Sequence, residues 1–382
     1  MIILGIETSC DETAASVVED GRKVLSNIIA SSSEMHAKTG GIIPEQAARQ
    51  QILSIIPVIS QALVQAFPNS KVKDISQYSE KINAIAITVG PGLIGSLLVG
   101  VETAKTLSYV WKKPIVPVNH LLGHVYANWL EEGTNIYSLQ FPALALVVSG
   151  GHTDLILMKD HGDLEWLGGT RDDAAGEAFD KCARLLNLPY PGGPSISMEA
   201  EKYLNQISIH STSSGLRLRG RSDSRRLMLS KVEASKIKGE ELKYFPRPLI
   251  NEDNFDWSFS GLKTAVLRET TNKLIDKSFI PKFAAEIQEA IVDSLLEKSV
   301  RAIKKYKPRS FLLAGGVAAN KRLREKFGLR IKSEILQVFH VPRTKLCTDN
   351  AAYIAACAYF NYKPVSWKKV FAKPQLTIMG EI

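Results

Sequence analysis

The chain has 382 residues, a net charge of +9, 23% charged and 45% hydrophobic residues. That composition excludes a disordered chain and fits a folded protein of two lobes, and its longest apolar runs fall short of a bilayer span. Four cysteines, Cys10, Cys182, Cys347 and Cys357, without a CxxC pair exclude a disulfide framework and a cysteine zinc knuckle and indicate a reducing compartment.

An apolar strand begins directly after Met1, with no signal-like or arginine-rich segment ahead of it. It runs from Ile3 to Ser9, breaks at Ser9-Cys10-Asp11-Glu12-Thr13, resumes over 14–18, turns at 19–22 and continues from Lys23 to Ile29. The same order recurs from Ala143 to Val148, with a turn at Ser149-Gly150-Gly151-His152-Thr153, a strand over 155–158, a turn over 160–163 and a strand from Leu164. A second element also recurs. A buried strand ends in glycines at Gly90 and Gly92 before a helix from about Ile94, and another ends at Gly315 and Gly316 before a helix from about Ala319. The duplication predicts two similar α/β lobes facing each other across a cleft, with backbone amides of the glycine turns directed into it, where they hold phosphate oxygens. This resembles the superfamily of actin, the heat-shock ATPases and the sugar kinases, with two ribonuclease-H-like lobes. The expected lobes are 1–125 plus 350–382 and 126–349, the last helix, roughly Asn350 to Tyr362, returning to the first lobe.

Between these repeats, Ile115-Val116-Pro117-Val118 reads as a strand followed by His120-Leu121-Leu122-Gly123-His124. On a helix, a spacing of four puts both imidazoles on one face, at the strand mouth where open α/β sheets place ligands. The pair predicts a metal clamp of the kind that takes zinc or iron in preference to magnesium. A core histidine beside a surface one is the alternative. Farther on, between Gly215 and Lys238, Arg217, Arg219, Arg221, Arg225, Arg226, Lys231, Lys236 and Lys238 stand against only Asp223 and Glu233. This serine-rich stretch, about 207–244, reads as an exposed basic insertion that grips nucleic-acid phosphates, with a solvated loop as the alternative.

Eight stretches in order carry a further resemblance: Glu7-Thr8-Ser9-Cys10-Asp11-Glu12-Thr13, the His120–His124 pair, Ser149 to Thr153, Asp172 to Lys181, Pro191-Gly192-Gly193-Pro194, Phe259 to Thr264, Gly315 to Asn320, and Cys347-Thr348-Asp349-Asn350. Together they resemble the family of tRNA N6-adenosine threonylcarbamoyltransferases, above all its fungal mitochondrial member, over nearly the whole chain. The resemblance implies transfer of threonylcarbamoyl from threonylcarbamoyl-AMP, supplied by a separate synthase, to adenosine 37 of tRNAs that read ANN codons. It also implies a homodimer in the mitochondrial matrix, with the cytoplasm as the alternative, and no membrane contact.

By the same resemblance Asp349 is the third metal ligand, although an Asp before a helical run is also a natural cap. One divalent ion per subunit is expected, iron or zinc, with magnesium accompanying a bound nucleotide. Val147, Val148, Ser149, Gly150, Gly151, Asp180, Gly193 and Asn320 are expected to contact the nucleotide part of the substrate. A carboxylate such as Asp180 suits ribose hydroxyls, and pairing with Lys181 or Arg184 is its alternative. Asp11 and Glu12 are candidate catalytic residues facing the cleft, or merely turn residues. An actin-like ATPase or scaffold is the competing reading. A zinc peptidase is disfavoured, because Leu121 stands where an HExxH helix carries its glutamate.

Overall fold

The computed structural model describes residues 1–32, 35–36, 41–68, 75–130, 139–213, 243–272, 277–334 and 338–382. The predicted tRNA-contacting arginines Arg217, Arg219, Arg221, Arg225 and Arg226 lie outside the described residues.

In the first half, β1 (Ile2–Glu7), β2 (Glu12–Glu19) and β3 (Lys23–Ser31) form an antiparallel meander, and β4 (Ala84–Gly90) and β5 (Ile115–Asn119) join it in parallel. The second half repeats this with β6 (Ala143–Val148), β7 (Thr153–Asp160), β8 (Asp163–Gly169), β9 (Ser310–Ala314) and β10 (Val338–His340). The sheet orders, β3-β2-β1-β4-β5 and β10-β9-β6-β7-β8, are the same order read from opposite ends. Two ribonuclease-H-like lobes are therefore present, as the internal duplication predicts. Each hairpin turns where the chain tolerates a left-handed backbone, at Asp20-Gly21 (φ 51 and 66) and at Gly162 (φ 75).

Helices α1 (Pro44–Ala66) and α2 (Ile94–Trp111) cover the outer face of the first sheet. The outer face of the second carries α4 (Ala175–Leu185), α5 (Gly192–Ser213), α6 (Ser260–Asn272), α7 (Ile280–Tyr306) and α8 (Lys321–Glu334). Between the sheets lie α3 (His120–Tyr126) and α9 (Ala352–Phe360). The latter is apolar all round, as a helix sandwiched between two layers must be. Gly5 admits it: a Cβ on Gly5 would fall 2.3 Å from the Ala351 carbonyl oxygen. On the same central layer His161, at the β7–β8 turn, stacks on Phe360 at 4.6 Å and meets the Tyr126 hydroxyl at 2.8 Å. The hairpin of one lobe is thereby pinned to the helices shared with the other.

Three expectations are corrected. The helix placed from Ala319 starts at Lys321, because Gly316–Ala319 forms a 3-10 turn and Asn320 Oδ1 accepts from Leu323 N to cap α8. The last helix is Ala352–Phe360, shorter at both ends than predicted. The glycine turn after β4 is no phosphate cradle: Gly92 N donates to Pro374 O, and Cβ atoms on Gly90 and Gly92 would strike Lys373 O and Ser9 O. The chain's own tail and the Ser9 turn already fill that space.

Candidate metal centre and substrate cleft

Strand β5 delivers Asn119, whose Oδ1 accepts from Leu121 N and starts α3, so the first residue of that helix is His120. One turn later comes His124, and the two rings stand 4.6 Å apart. From the other half of the chain, Asp349 Oδ1 reaches 3.4 Å from His124 Nε2 and 3.7 Å from His120 Nε2. One donor atom from each of the three lies within 4.8 Å of the others, and no other such group occurs among the described residues. The helix-capping alternative for Asp349 falls to its neighbour, since Asn350 Oδ1 accepts from Ala352 N and Tyr353 N.

Glu7, only 1% exposed, was not singled out from sequence. Its Oε2 lies 3.0 Å from His120 Nδ1 and accepts from Thr88 Oγ1 at 2.6 Å, and its Oε1 accepts from Ser9 N. A carboxylate only accepts, so Nδ1 of His120 holds its proton toward Glu7 and Nε2 is left facing Asp349. Burial favours neutral His120, but the Glu7 and Asp349 carboxylates outweigh it and hold its pKa up at about 9. Burial likewise favours neutral Asp349, and the two imidazoles overcome this and bring it down to about 2. His124 is lowered by burial, and neither of its buried ring nitrogens makes a hydrogen bond of ordinary geometry. A buried imidazole with both nitrogens unsatisfied, beside a second imidazole and a carboxylate, fits a divalent ion of the zinc or iron kind. Tyr353 closes the group, its ring 4.7 Å from His124 and its hydroxyl 3.4 Å from Asp349 Oδ1.

The Ser9 to Thr13 turn forms one wall. Gln51 Nε2 pins it by donating to Cys10 O and Glu12 O. Burial, reinforced by the Asp349 carboxylate, pushes Glu12 up to about 9, and Ser31 Oγ donates to it. At the opposite wall, burial raises the Tyr190 hydroxyl to about 12, with Asp180 on its own lobe and the Asp11 turn on the other adding to the effect. The two walls thus face each other at electrostatic range. His152, also missed, is lowered to about 4 by burial and by His120 and His124.

The predicted nucleotide contacts divide into two groups. Val147 and Val148 have no exposed side-chain surface, so only their backbone is available, and Ser149 N is taken by His152 O. Asp180 Oδ1 accepts from Gly192 N at the start of α5, and the Arg184 guanidinium also favours its charged form. Asn320 spends its amide inside the lobe, with Nδ2 donating to Ser197 Oγ and Gln288 Oε1. The glycines differ. At Gly150, Gly151, Gly193 and Gly316 an added Cβ would meet nothing within 4 Å, and none has a left-handed φ. Neither backbone conformation nor packing requires glycine there, and the space each leaves is open. Gly316 was legible as part of a motif but not as a site residue.

Fold and donor set define the class: a twin-lobed α/β protein of the actin, heat-shock ATPase and sugar-kinase architecture, with a His-His-Asp group between its halves. The profile of the TsaD family, tRNA N6-adenosine threonylcarbamoyltransferase, matches residues 23–224 and 221–356. The tRNA N6-adenosine threonylcarbamoyltransferase of Carboxydothermus hydrogenoformans is 45% identical over 363 residues, covering 94% of this chain and 92% of its own. That of Staphylococcus aureus (strain JH9) is 41% identical over 367 residues, covering 95% and 92%. A solved structure of T. kodakarensis HypF shares the fold alone, at 11% identity and a TM-score of 0.50, covering 94% of this chain and 47% of that one. The chain belongs to the tRNA N6-adenosine threonylcarbamoyltransferase family. Its reaction is transfer of the threonylcarbamoyl group to N6 of adenosine in tRNA.

Proposed function

We propose that the donor is threonylcarbamoyl-AMP, made by a separate synthase, bound across the cleft with its acyl end toward His120, His124 and Asp349, and that the acceptor is adenosine 37 of tRNAs reading ANN codons. The exocyclic amine attacks the carbamoyl carbon, the new N–C bond forms, the C–O bond to phosphate breaks, and AMP leaves with that electron pair while the amine gives up a proton. His120, His124 and Asp349 would hold a divalent ion, iron or zinc, which when bound would supply Lewis acidity. Gly150, Gly151, Gly193 and Gly316 admit the nucleotide against backbone. Asp11 and Glu12 orient the reacting groups from the facing wall. The adenylate is already activated, so positioning supplies most of the remaining acceleration and no covalent enzyme intermediate is needed.

What carries this reading is the convergence of one donor atom each from His120, His124 and Asp349 within 4.8 Å, from segments more than two hundred residues apart. The lobes are proposed to divide at about residues 125 and 350, and the arginines from Arg217 to Arg226 to grip tRNA phosphates. No described helix is long and apolar enough to cross a membrane. Likeness to the fungal mitochondrial member supports a matrix address and a homodimer. Purified protein, tRNA and threonylcarbamoyl-AMP are expected to yield the modified nucleoside, and His124→Ala and Asp349→Asn to abolish it together with bound metal. A metal-free wild type that binds ATP and forms no modified nucleoside would turn this reading toward an ATPase or scaffold.

A further inference from the structure

On the first lobe, at the end of β5 remote from His120, a groove of about 630 Å³ opens between the C-terminal end of α2 and residues 365–367. The sheet-facing residues of that last turn, Leu107, Ser108 and Trp111, are buried, whereas Tyr109 and Val110 are 64% and 61% exposed. Trp367 stands edge-on to Tyr109 at 5.4 Å, and Lys368 Nζ lies 5.6 Å from the Trp367 ring. One helical turn back, Lys105 Nζ lies 5.6 Å from the ring of Phe371, itself 61% exposed. Lys112 and Lys113 line the groove, Lys368 and Lys369 follow its Trp367 in the chain, and none of the four makes an ion pair among the described residues. The acid on the same helix face, Glu102, is already paired with Lys105.

A solvated lysine face has no use for exposed rings, and an apolar partner would have to desolvate the lysines. Both features suit a polyanion that also presents flat apolar faces, which is nucleic acid: lysines meet phosphates and aromatic rings stack on bases. Its position fits as well. Val365 N donates to Ile115 O at the start of β5, and Asn119 Nδ2 at the other end of that strand donates to Thr377 O on the same C-terminal tail. At about 3.3 Å per residue, the five residues of β5 separate groove and His120 by only ~17 Å, far less than the reach of a tRNA.

We propose that this groove is a second RNA-contact surface, which holds backbone phosphates and one unstacked base of the tRNA away from the adenosine in the cleft. The proposal deepens the tRNA reading above and rests on it. Its test compares binding of full-length tRNA to the wild type, to the charge-only variant Lys112→Gln/Lys113→Gln/Lys368→Gln/Lys369→Gln, and to Trp367→Ala, over about 50 to 200 mM salt. The lysine variant is expected to bind at least ~10-fold more weakly and to lose about 3 from the log-log salt slope. Trp367→Ala is expected to bind at least ~5-fold more weakly with the slope unchanged. Turnover at saturating tRNA stays at the wild-type value in both, and melting curves confirm that both fold. Wild-type affinity and slope in the lysine variant overturn the proposal. So does a lysine effect without a Trp367 effect, which describes a general anion surface. The binding readout needs no turnover, so a wild type that binds tRNA but never modifies it counts against the transfer mechanism and leaves the groove standing.

Discussion

Glu7 ends an apolar strand with a charge that pairs with no lysine or arginine among the described residues; its acceptors are filled by Ser9 N, Thr88 Oγ1 and His120 Nδ1. A carboxylate behind a ligating imidazole fixes its orientation and raises its basicity, and removing such a partner commonly lowers metal affinity by about 10- to 100-fold. Glu7→Gln keeps the volume and loses the charge, so zinc affinity measured by chelator competition should fall by about that factor while the fold persists. Unchanged affinity would make Glu7 a structural residue only. The open glycines make a second prediction at this scale. Gly150→Ala and Gly316→Ala should leave the melting temperature in place and raise KM for the adenylate. Gly315→Ala, with φ +89 and a Cβ 2.3 Å from Val148 O, should destabilise the protein by about 1 to 3 kcal/mol. Equal melting shifts in all three would remove the distinction. The histidine pair was readable because its spacing is local, and Asp349 only through family resemblance. Glu7 was not readable, because Thr88 reaches it from β4 and His120 from α3, both distant in the chain.

The helices of the second lobe are held by a charge network as well as by their apolar faces. On α7, Glu289 is 1% exposed and takes Arg322 and Lys326 from α8, and Lys326 also reaches Asp293, which holds Arg247. Removing one member of a buried ionic group leaves the others without compensation, and the loss is typically about 3 kcal/mol or more. Glu289→Ala should therefore lower the denaturant midpoint with little change of slope, and a midpoint that stays in place would mean the cations find water instead. None of this network was visible in the sequence, where these residues look like the solvated face of two helices. The strands of the two repeated units were visible, because apolar runs broken by turn residues are short-range patterns, whereas the long helices α1 and α4 to α7 were not read. Errors fell where tertiary contacts decide: at Gly316–Ala319, tightened into a 3-10 turn, and at Gly90 and Gly92, occupied by the tail.

At the scale of the molecule, the duplication was legible because strand, turn, strand and hairpin recur in one order, whereas the layer joining the halves was not. Two short helices from distant parts of the chain, α3 and α9, meet there, and His161 seals their edge against Phe360. Among the described residues, the first lobe's outer helices leave apolar side chains exposed. On α1, Ile52, Leu53 and Ile56 are 63%, 70% and 48% exposed, and on α2 Ile94 and Leu98 are 51% and 45% exposed. The helix starts are in close contact, since a Cβ on Gly95 would lie 3.1 Å from Ala48 Cβ, so these side chains form one apolar surface across two helices. Contiguous apolar surface of this kind marks an association site, and a two-fold axis through it would let a second copy present the same helices. If that face joins the proposed homodimer, Ile52→Asp with Leu53→Asp places two carboxylates into each side of the contact, four across the axis. Sedimentation velocity should then show the wild type as a dimer and the double variant as a monomer with an unaltered melting curve at low concentration. A dimer that survives both substitutions would locate the subunit contact on another face, and a monomeric wild type would remove the homodimer altogether.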